Sequence, residues 1–283
     1  MSDRNPFALG DRPEPMRRRI AVGDTTLYVE EQGSGAAVML IGAADEDAEF
    51  YRGIADRLAP DCRVVTYDRR GTRRSGREGW PCAAERHADD VAELIDELEL
   101  DRVTVLGASA GGLVALAVAL RHPDLVETVL CFEPGVLCAT EEGAALADAA
   151  DAAVAAHLDA HPHDWPGAVH ALGRVAARSS TDGRDLFAAP EGDGWFARRA
   201  DANAEALVRG DLPLTQRAVD LEAVARCPTN VRFAYGTASL PVFREIATRL
   251  AACRHEVPDA LHGLGHSVYH HPDTTVEYVR RWL

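Results

Sequence analysis

Apolar and polar positions follow two different periods along this chain, and the changes of period divide it into parts. Residues 37–41 (Ala-Val-Met-Leu-Ile) form a continuous apolar run of the kind that fills a strand buried on both faces of a parallel sheet. Further strands are expected at 63–67, 102–106 and 126–132. Between them the apolar positions recur at helical spacing, which predicts helices at 49–58, 84–98 and 111–121. Strand and helix thus alternate. That alternation predicts an α/β fold with a mostly parallel central sheet, joined by crossovers and flanked by helices.

The two ends and the middle of the chain depart from this rhythm. Residues 1–16 carry Pro6, Pro13 and Pro15 among charges and read as a flexible N-terminal arm. Segments 18–22 and 25–31 around Gly23-Asp24 have the signature of a hairpin. From 138 to 221 the strand signal disappears. Leu146, Ala150, Val154 and Leu158 recur at spacing four, followed by Val169, Leu172 and Val175, then by Phe196, Ala200, Ala204 and Leu207. This block is expected to be a helical cap inserted into a core made of 17–137 and 222–283. The core resumes with a strand at 231–235, a helix at 242–252, a short strand at 254–257 and a last helix at 272–283.

Composition narrows the function. A chain of 283 residues buries a large core and suits one α/β domain with an insertion. Its net charge of −15 repels nucleic acid and anionic membranes, so neither is expected as a partner. The longest apolar stretches have strand length and the first 19 residues are too polar for a signal peptide, so a cytoplasmic protein is expected. All 30 Lys and Arg positions are Arg, which excludes a catalytic lysine. Cys62, Cys82, Cys131, Cys138, Cys227 and Cys253 include no C-x-x-C pair, and reduced thiols are expected.

The candidate chemistry centres on Gly107-Ala108-Ser109-Ala110-Gly111, which has the form G-x-S-x-G between an expected strand and an expected helix. A serine in so sharp a turn holds its hydroxyl clear of the sheet and beside the positive helix N-terminus, which makes Ser109 a candidate nucleophile. Small neighbours let strand and helix approach. Glu133 ends the strand reached after one crossover, about 5 Å away across the ladder, at the edge where loops converge. Gly263-Leu264-Gly265-His266-Ser267 carries an imidazole able to take and return a proton near neutral pH. His262, His270 and His271 are its rivals. Backbone amides for an oxyanion are expected from Ala110 and from Ala43, in the turn after Leu40-Ile41-Gly42.

Four pieces together resemble the α/β-hydrolases: the Ile41-Gly42-Ala43 turn, the segment from Tyr67-Asp68-Arg69-Arg70-Gly71 to Gly76, the Ser109 turn, and Gly265-His266. The resemblance implies that fold, a hydrolytic activity that needs no cofactor, and the chain order nucleophile, acid, histidine. Many members have His-Gly at the first turn where this chain has Ile41-Gly42. The acid of most members follows the next-to-last core strand as Gly-x-x-Asp, and here that segment reads Gly236-Thr237-Ala238-Ser239, with no carboxylate before Glu245. Cys131-Phe132-Glu133-Pro134 is similar instead to zearalenone-type lactonases, which makes Glu133 the favoured acid.

The expected activity is hydrolysis of a small-molecule carboxylic ester or lactone through a Ser109-His266-Glu133 triad. Thioester hydrolysis, C–C bond hydrolysis and a non-catalytic binding role are the alternatives. Gly42, Trp195 and Phe196 are candidate substrate-binding residues, with the aromatic pair as a wall over Ser109. Asp45, Glu46 and Asp47 face either the pocket entrance or solvent. The spacing of His157, His161 and His163 suits a surface helix, so no metal is expected. Arg69, Arg70, Arg73 and Arg74 are expected to be structural, and the molecule to be a monomer or homodimer.

Overall fold

The computed structural model describes residues 5–178 and 194–283. Its strands are β1 (Met16–Val22), β2 (Thr25–Gln32), β3 (Ala36–Ile41), β4 (Cys62–Tyr67), β5 (Val103–Ala108), β6 (Val126–Phe132), β7 (Asn230–Gly236) and β8 (Asp259–Leu261). They form one sheet in the order β1-β2-β4-β3-β5-β6-β7-β8. The β1-β2 hairpin joins antiparallel, and every pairing from β4 to β8 is parallel. Direction of strand order reverses between β3 and β5, and such a reversal opens a crevice at the carboxyl ends of the strands.

The helices are α1 (Arg52–Leu58), α2 (Ala84–Glu97), α3 (Ala110–Arg121), α4 (Glu141–Ala160), α5 (Trp165–Arg178), α6 (Gly194–Ala206), α7 (Leu212–Thr215), α8 (Leu221–Arg226), α9 (Pro241–Cys253) and α10 (Pro272–Arg280). Successive residues of β3 serve opposite faces of the sheet. Val38 and Leu40 pack with Ile54 and Leu58 of α1 and Val276 and Val279 of α10. Met39 and Ile41 pack with Val91 and Leu94 of α2, Val114 of α3 and Ile246 of α9. Each Leu, Ile or Val removed from water this way contributes about 1.5–3 kcal/mol, so the sheet is held from both sides. Helix α3 is buried from Ala110 to Ala119, as its nearly all-apolar sequence requires.

Helices α4 to α8 lie between β6 and β7. Thr140 caps α4, its Oγ1 accepting from Gly143 N at 3.0 Å. Ala150 and Val154 of α4, Val169 and Leu172 of α5, and Ala204 and Leu207 from α6 and the turn after it form a core separate from that of the sheet. Leu207–Asp211 is a π-helical turn, an irregularity that often marks functional positions. No helix among the described residues is long and apolar enough to cross a membrane.

Three sequence expectations need correction. The arm is anchored from Asn5 onward: Asn5 Nδ2 donates to Glu49 O at 2.6 Å, Leu9 N donates to Asp56 Oδ2 at 2.8 Å, and Phe7 meets Phe196. The buried Asn5 amide and the half-buried Phe7 ring tie down what proline and charge alone suggested would be loose. Residues 254–257 form no strand, because Arg254, His255 and Glu256 donate back to α9 and Pro258 has no N–H to give a ladder; the strand is β8, one step later. The last helix stops at Arg280.

Candidate active site

Parallel pairing brings the carboxyl ends of β3, β5, β6, β7 and β8 to one edge. Ile41 pairs with Gly107, Ala108 with Phe132, Phe132 with Ala234, and Gly236 with Leu261. The residues that follow these ends are therefore neighbours. Ser109 stands between β5 and α3 at φ 53°, ψ −124°, a left-handed backbone that costs a non-glycine residue about 1–3 kcal/mol. Four hydrogen bonds hold it there: Ser109 N donates to Phe132 O at 3.0 Å, and Ser109 O accepts from Gly112 N at 2.9 Å, Leu113 N at 3.2 Å and Gly135 N at 2.8 Å. A Cβ on Gly111 would lie 2.2 Å from Ile41 O, so glycine is what lets α3 start against the end of β3.

Glu133 is fully buried at the end of β6, also at positive φ (42°). Its Oε1 accepts from Gly236 N at 2.8 Å, and its Oε2 accepts from Ser239 Oγ at 2.8 Å. Oε2 also lies 2.6 Å from His266 Nδ1. A carboxylate in that position assigns the imidazole proton to Nδ1 and leaves Nε2 as the acceptor nitrogen. The other constraint on the ring is Phe243, stacked on it with centroids 4.4 Å apart. The Gly236–Ser239 loop holds no carboxylate of its own, yet it delivers two donors to Glu133. Glu245, the other acid considered, is exposed on α9.

Ser109, Ala110 and His266 line one cavity together with Ala43. Leu146, Ala147, Leu172, Leu207 and Leu212 from the helices between β6 and β7 form its apolar wall. The structure does not leave the Ala43 amide free: Ala43 N donates to Glu46 Oε2 at 3.0 Å, because the loop turns back on itself and Glu46 N donates to Ala43 O at 3.2 Å. A buried N–H takes the nearest acceptor, and here that is a carboxyl group. Gly42 is not among the lining residues. A Cβ there would meet the Tyr51 ring at 2.8 Å and Glu46 Oε2 at 2.9 Å, so its place is to admit those two side chains.

Trp195 and Phe196 are also absent from the lining. They belong to a buried aromatic cluster in which Phe196 lies 5.2 Å from Phe50 and 4.9 Å from Tyr269, and Trp195 lies 5.9 Å from Phe50. Phe243 and Tyr269 are the aromatic residues that reach the cavity, beside His266. Aromatic residues on an apolar helix face look the same in sequence whether they meet substrate or each other.

Of the acidic run left open between pocket and solvent, Asp45 and Glu46 reach the cavity, and Asp211 joins them without having been singled out in the sequence. Arg69 Nη2 lies 2.7 and 2.6 Å from the two oxygens of Asp211, and Ala44 N donates to Asp211 Oδ2 at 2.6 Å. Burial, with Glu46 and Asp211 nearby, pushes the Asp45 carboxyl up to about 8, and burial raises Glu46 above the usual carboxylate range. Asp47 turns away and is paired with Arg199 at 2.7 Å. The remaining arginines of the 69–74 loop are bound to carboxylates: Arg70 to Asp90, Arg73 to Asp47 and Arg74 to Asp68.

A mostly parallel sheet in this order, with a left-handed serine between strand and helix at the switch point, is the α/β-hydrolase fold. The family model described as alpha/beta hydrolase fold matches residues 37–162. The uncharacterised hydrolase YraK of Bacillus subtilis is 32% identical over 122 residues, 42% of this chain and 44% of that protein. The 2-(acetamidomethylene)succinate hydrolase of Mesorhizobium japonicum is 29% identical over 116 residues, 41% of this chain and 42% of that one. This chain spans less than half the length of both relatives. Among solved structures, Est816, described as an N-acyl homoserine lactone degrading enzyme, superposes with a TM-score of 0.72 at 19% identity, covering 94% of this chain and all of that one.

Proposed function

We propose that this protein is a cytoplasmic serine hydrolase that cleaves a small-molecule carboxylic ester or lactone through an acyl-enzyme. The observation that carries this reading is the 2.6 Å contact between His266 Nδ1 and the buried Glu133 carboxylate, on the sheet edge where Ser109 shares a cavity with His266. His266 Nε2 takes the Ser109 proton as Oγ attacks the carbonyl, and returns it to the leaving alkoxide. Glu133 stabilises the imidazolium that forms in between. Water then attacks the acyl-enzyme with the same histidine as base.

The Ala110 amide, first of α3, is the donor beside the developing oxyanion. The Ala43 amide joins it when the substrate displaces Glu46 Oε2. Helices α4 to α7 act as the cap whose leucines receive the hydrocarbon part of the substrate. Est816 supports the lactone within this class through its fold and its described activity.

The test compares Glu133→Gln with Glu245→Gln on 4-nitrophenyl acetate and on a lactone. Glu133→Gln should lower kcat by about 10²–10⁴-fold, as loss of the carboxylate that holds the imidazole does elsewhere, while Glu245→Gln stays near wild type. The opposite result would move the acid to α9.

A further inference from the structure

The polar wall of the Ser109 cavity has an unequal charge balance. Of its three carboxylates, Asp211 is matched by Arg69 and by the Ala44 amide. Glu46 has two neutral donors, Ala43 N at 3.0 Å and Tyr51 Oη at 2.6 Å. Asp45 is 8% exposed, lines the cavity, and receives no hydrogen bond or ion pair on its carboxylate from any other described residue. Its backbone is fixed, since Asn203 Nδ2 donates to Asp45 O at 3.0 Å. A buried carboxylate that lines a cavity, with its own backbone N–H as donor and no ion-pair partner among the described residues, fits a ligand that brings the positive charge with it.

We propose that Asp45, backed by Glu46 and Asp211, selects esters or lactones that carry an ammonium group and rejects those that carry a carboxylate. The proposal rests on the reading of the Ser109 cavity as a substrate site. The leucines that line the same cavity hold the hydrocarbon, so the favoured substrate carries a cationic group and an apolar part. Attraction between unit charges is strong where water is excluded, whereas an anion there gains no such partner and disfavours ionisation of Asp45 and Glu46. The charged or titratable groups around Asp45 are Glu46 on its own loop, Asp211 in the π-helical turn and Arg69 after β4, with Tyr51 and Tyr269 beside Glu46. Asp45 titrates at about 8 in this setting, so a bound ammonium draws off its proton and the binding enthalpy depends on the buffer.

Calorimetric titration of the whole protein with n-butylammonium, n-butanol and n-butyrate tests this without turnover. The wild type should bind n-butylammonium about tenfold or more tighter than n-butanol and show no n-butyrate binding, and Asp45→Asn should erase the preference. Equal affinity for n-butanol, tighter binding of n-butyrate, or a preference that survives Asp45→Asn would overturn the proposal. In turnover, ethyl 3-aminopropanoate should show a KM about tenfold below that of ethyl butanoate with a similar kcat, and Asp45→Asn should merge the two KM values. A protein that binds n-butylammonium selectively but hydrolyses neither ester would sink the hydrolase reading and leave the ammonium site standing.

Discussion

Glu133 is held by three contacts, and each gives a separate handle on His266. Ser239 Oγ, at 2.8 Å from Oε2, shares that oxygen with His266 Nδ1. Ser239→Ala removes one donor from a buried carboxylate, and a hydrogen bond to a charged group is worth about 1.5–3 kcal/mol. Because the carboxylate then bears more of its charge on His266, the expected result is a changed pH profile of kcat and a loss of roughly tenfold in rate, with KM nearly constant. A profile identical to wild type would show that Ser239 only fills space. At this scale the placement of Ser109, Glu133 and His266 at one sheet edge was legible, since each is announced by its surroundings: two glycines, a strand end, and a glycine-bearing loop. The engaged Ala43 amide was not legible, because it depends on where a side chain three residues away folds back. Nor was the Gly236–Ser239 loop, which looked deficient for want of a carboxylate and instead supplies donors to one.

The strand-turn-helix unit made by β5, Ser109 and α3 depends on close backbone approach. Gly111→Ala places a methyl 2.2 Å from Ile41 O, where both groups belong to packed elements. Relief requires α3 to move away from β3, so the variant should lose about 2–5 kcal/mol of stability and its Ser109 chemistry together. Thermal unfolding beside an ester assay checks this, and a variant of wild-type Tm would contradict the packing described. The strands were readable from continuous apolar runs, and α1, α2, α3 and α9 from helical spacing. The short β8 was displaced in the sequence reading because three residues pair well enough there only through β7, a tertiary fact. The helices between β6 and β7 were visible as a block, but the π-helical turn that carries Asp211 to the cavity leaves no periodic trace. A helical pattern also says only which face is apolar; Trp195 and Phe196 therefore pointed to substrate when they meet Phe50 and Tyr269.

Across the whole molecule, stability and chemistry compete at the acidic wall. An unfolded aspartate titrates near 4, whereas Asp45 in the fold titrates at about 8. The folded state thus binds the extra proton between those values. Its stabilising effect is complete below about pH 4 and is lost as pH rises through about 8. Asp45→Asn keeps the neutral form at every pH, so its Tm should exceed that of the wild type by a few degrees above pH 8 and match it near pH 4. Equal Tm values at both ends would mean that Asp45 is not held protonated. The net charge of −15 argues against polyanionic partners but does not locate the charge, and only the folded chain places Asp45, Glu46 and Asp211 in one cavity. The proposed hydrolysis requires Ser109 to be an activated nucleophile. Incubation of the folded protein with a fluorophosphonate, followed by peptide mass spectrometry, should give one adduct on Ser109 that is lost in Ser109→Ala and sharply slowed in Glu133→Gln; a folded wild type that takes no label at Ser109 would contradict it.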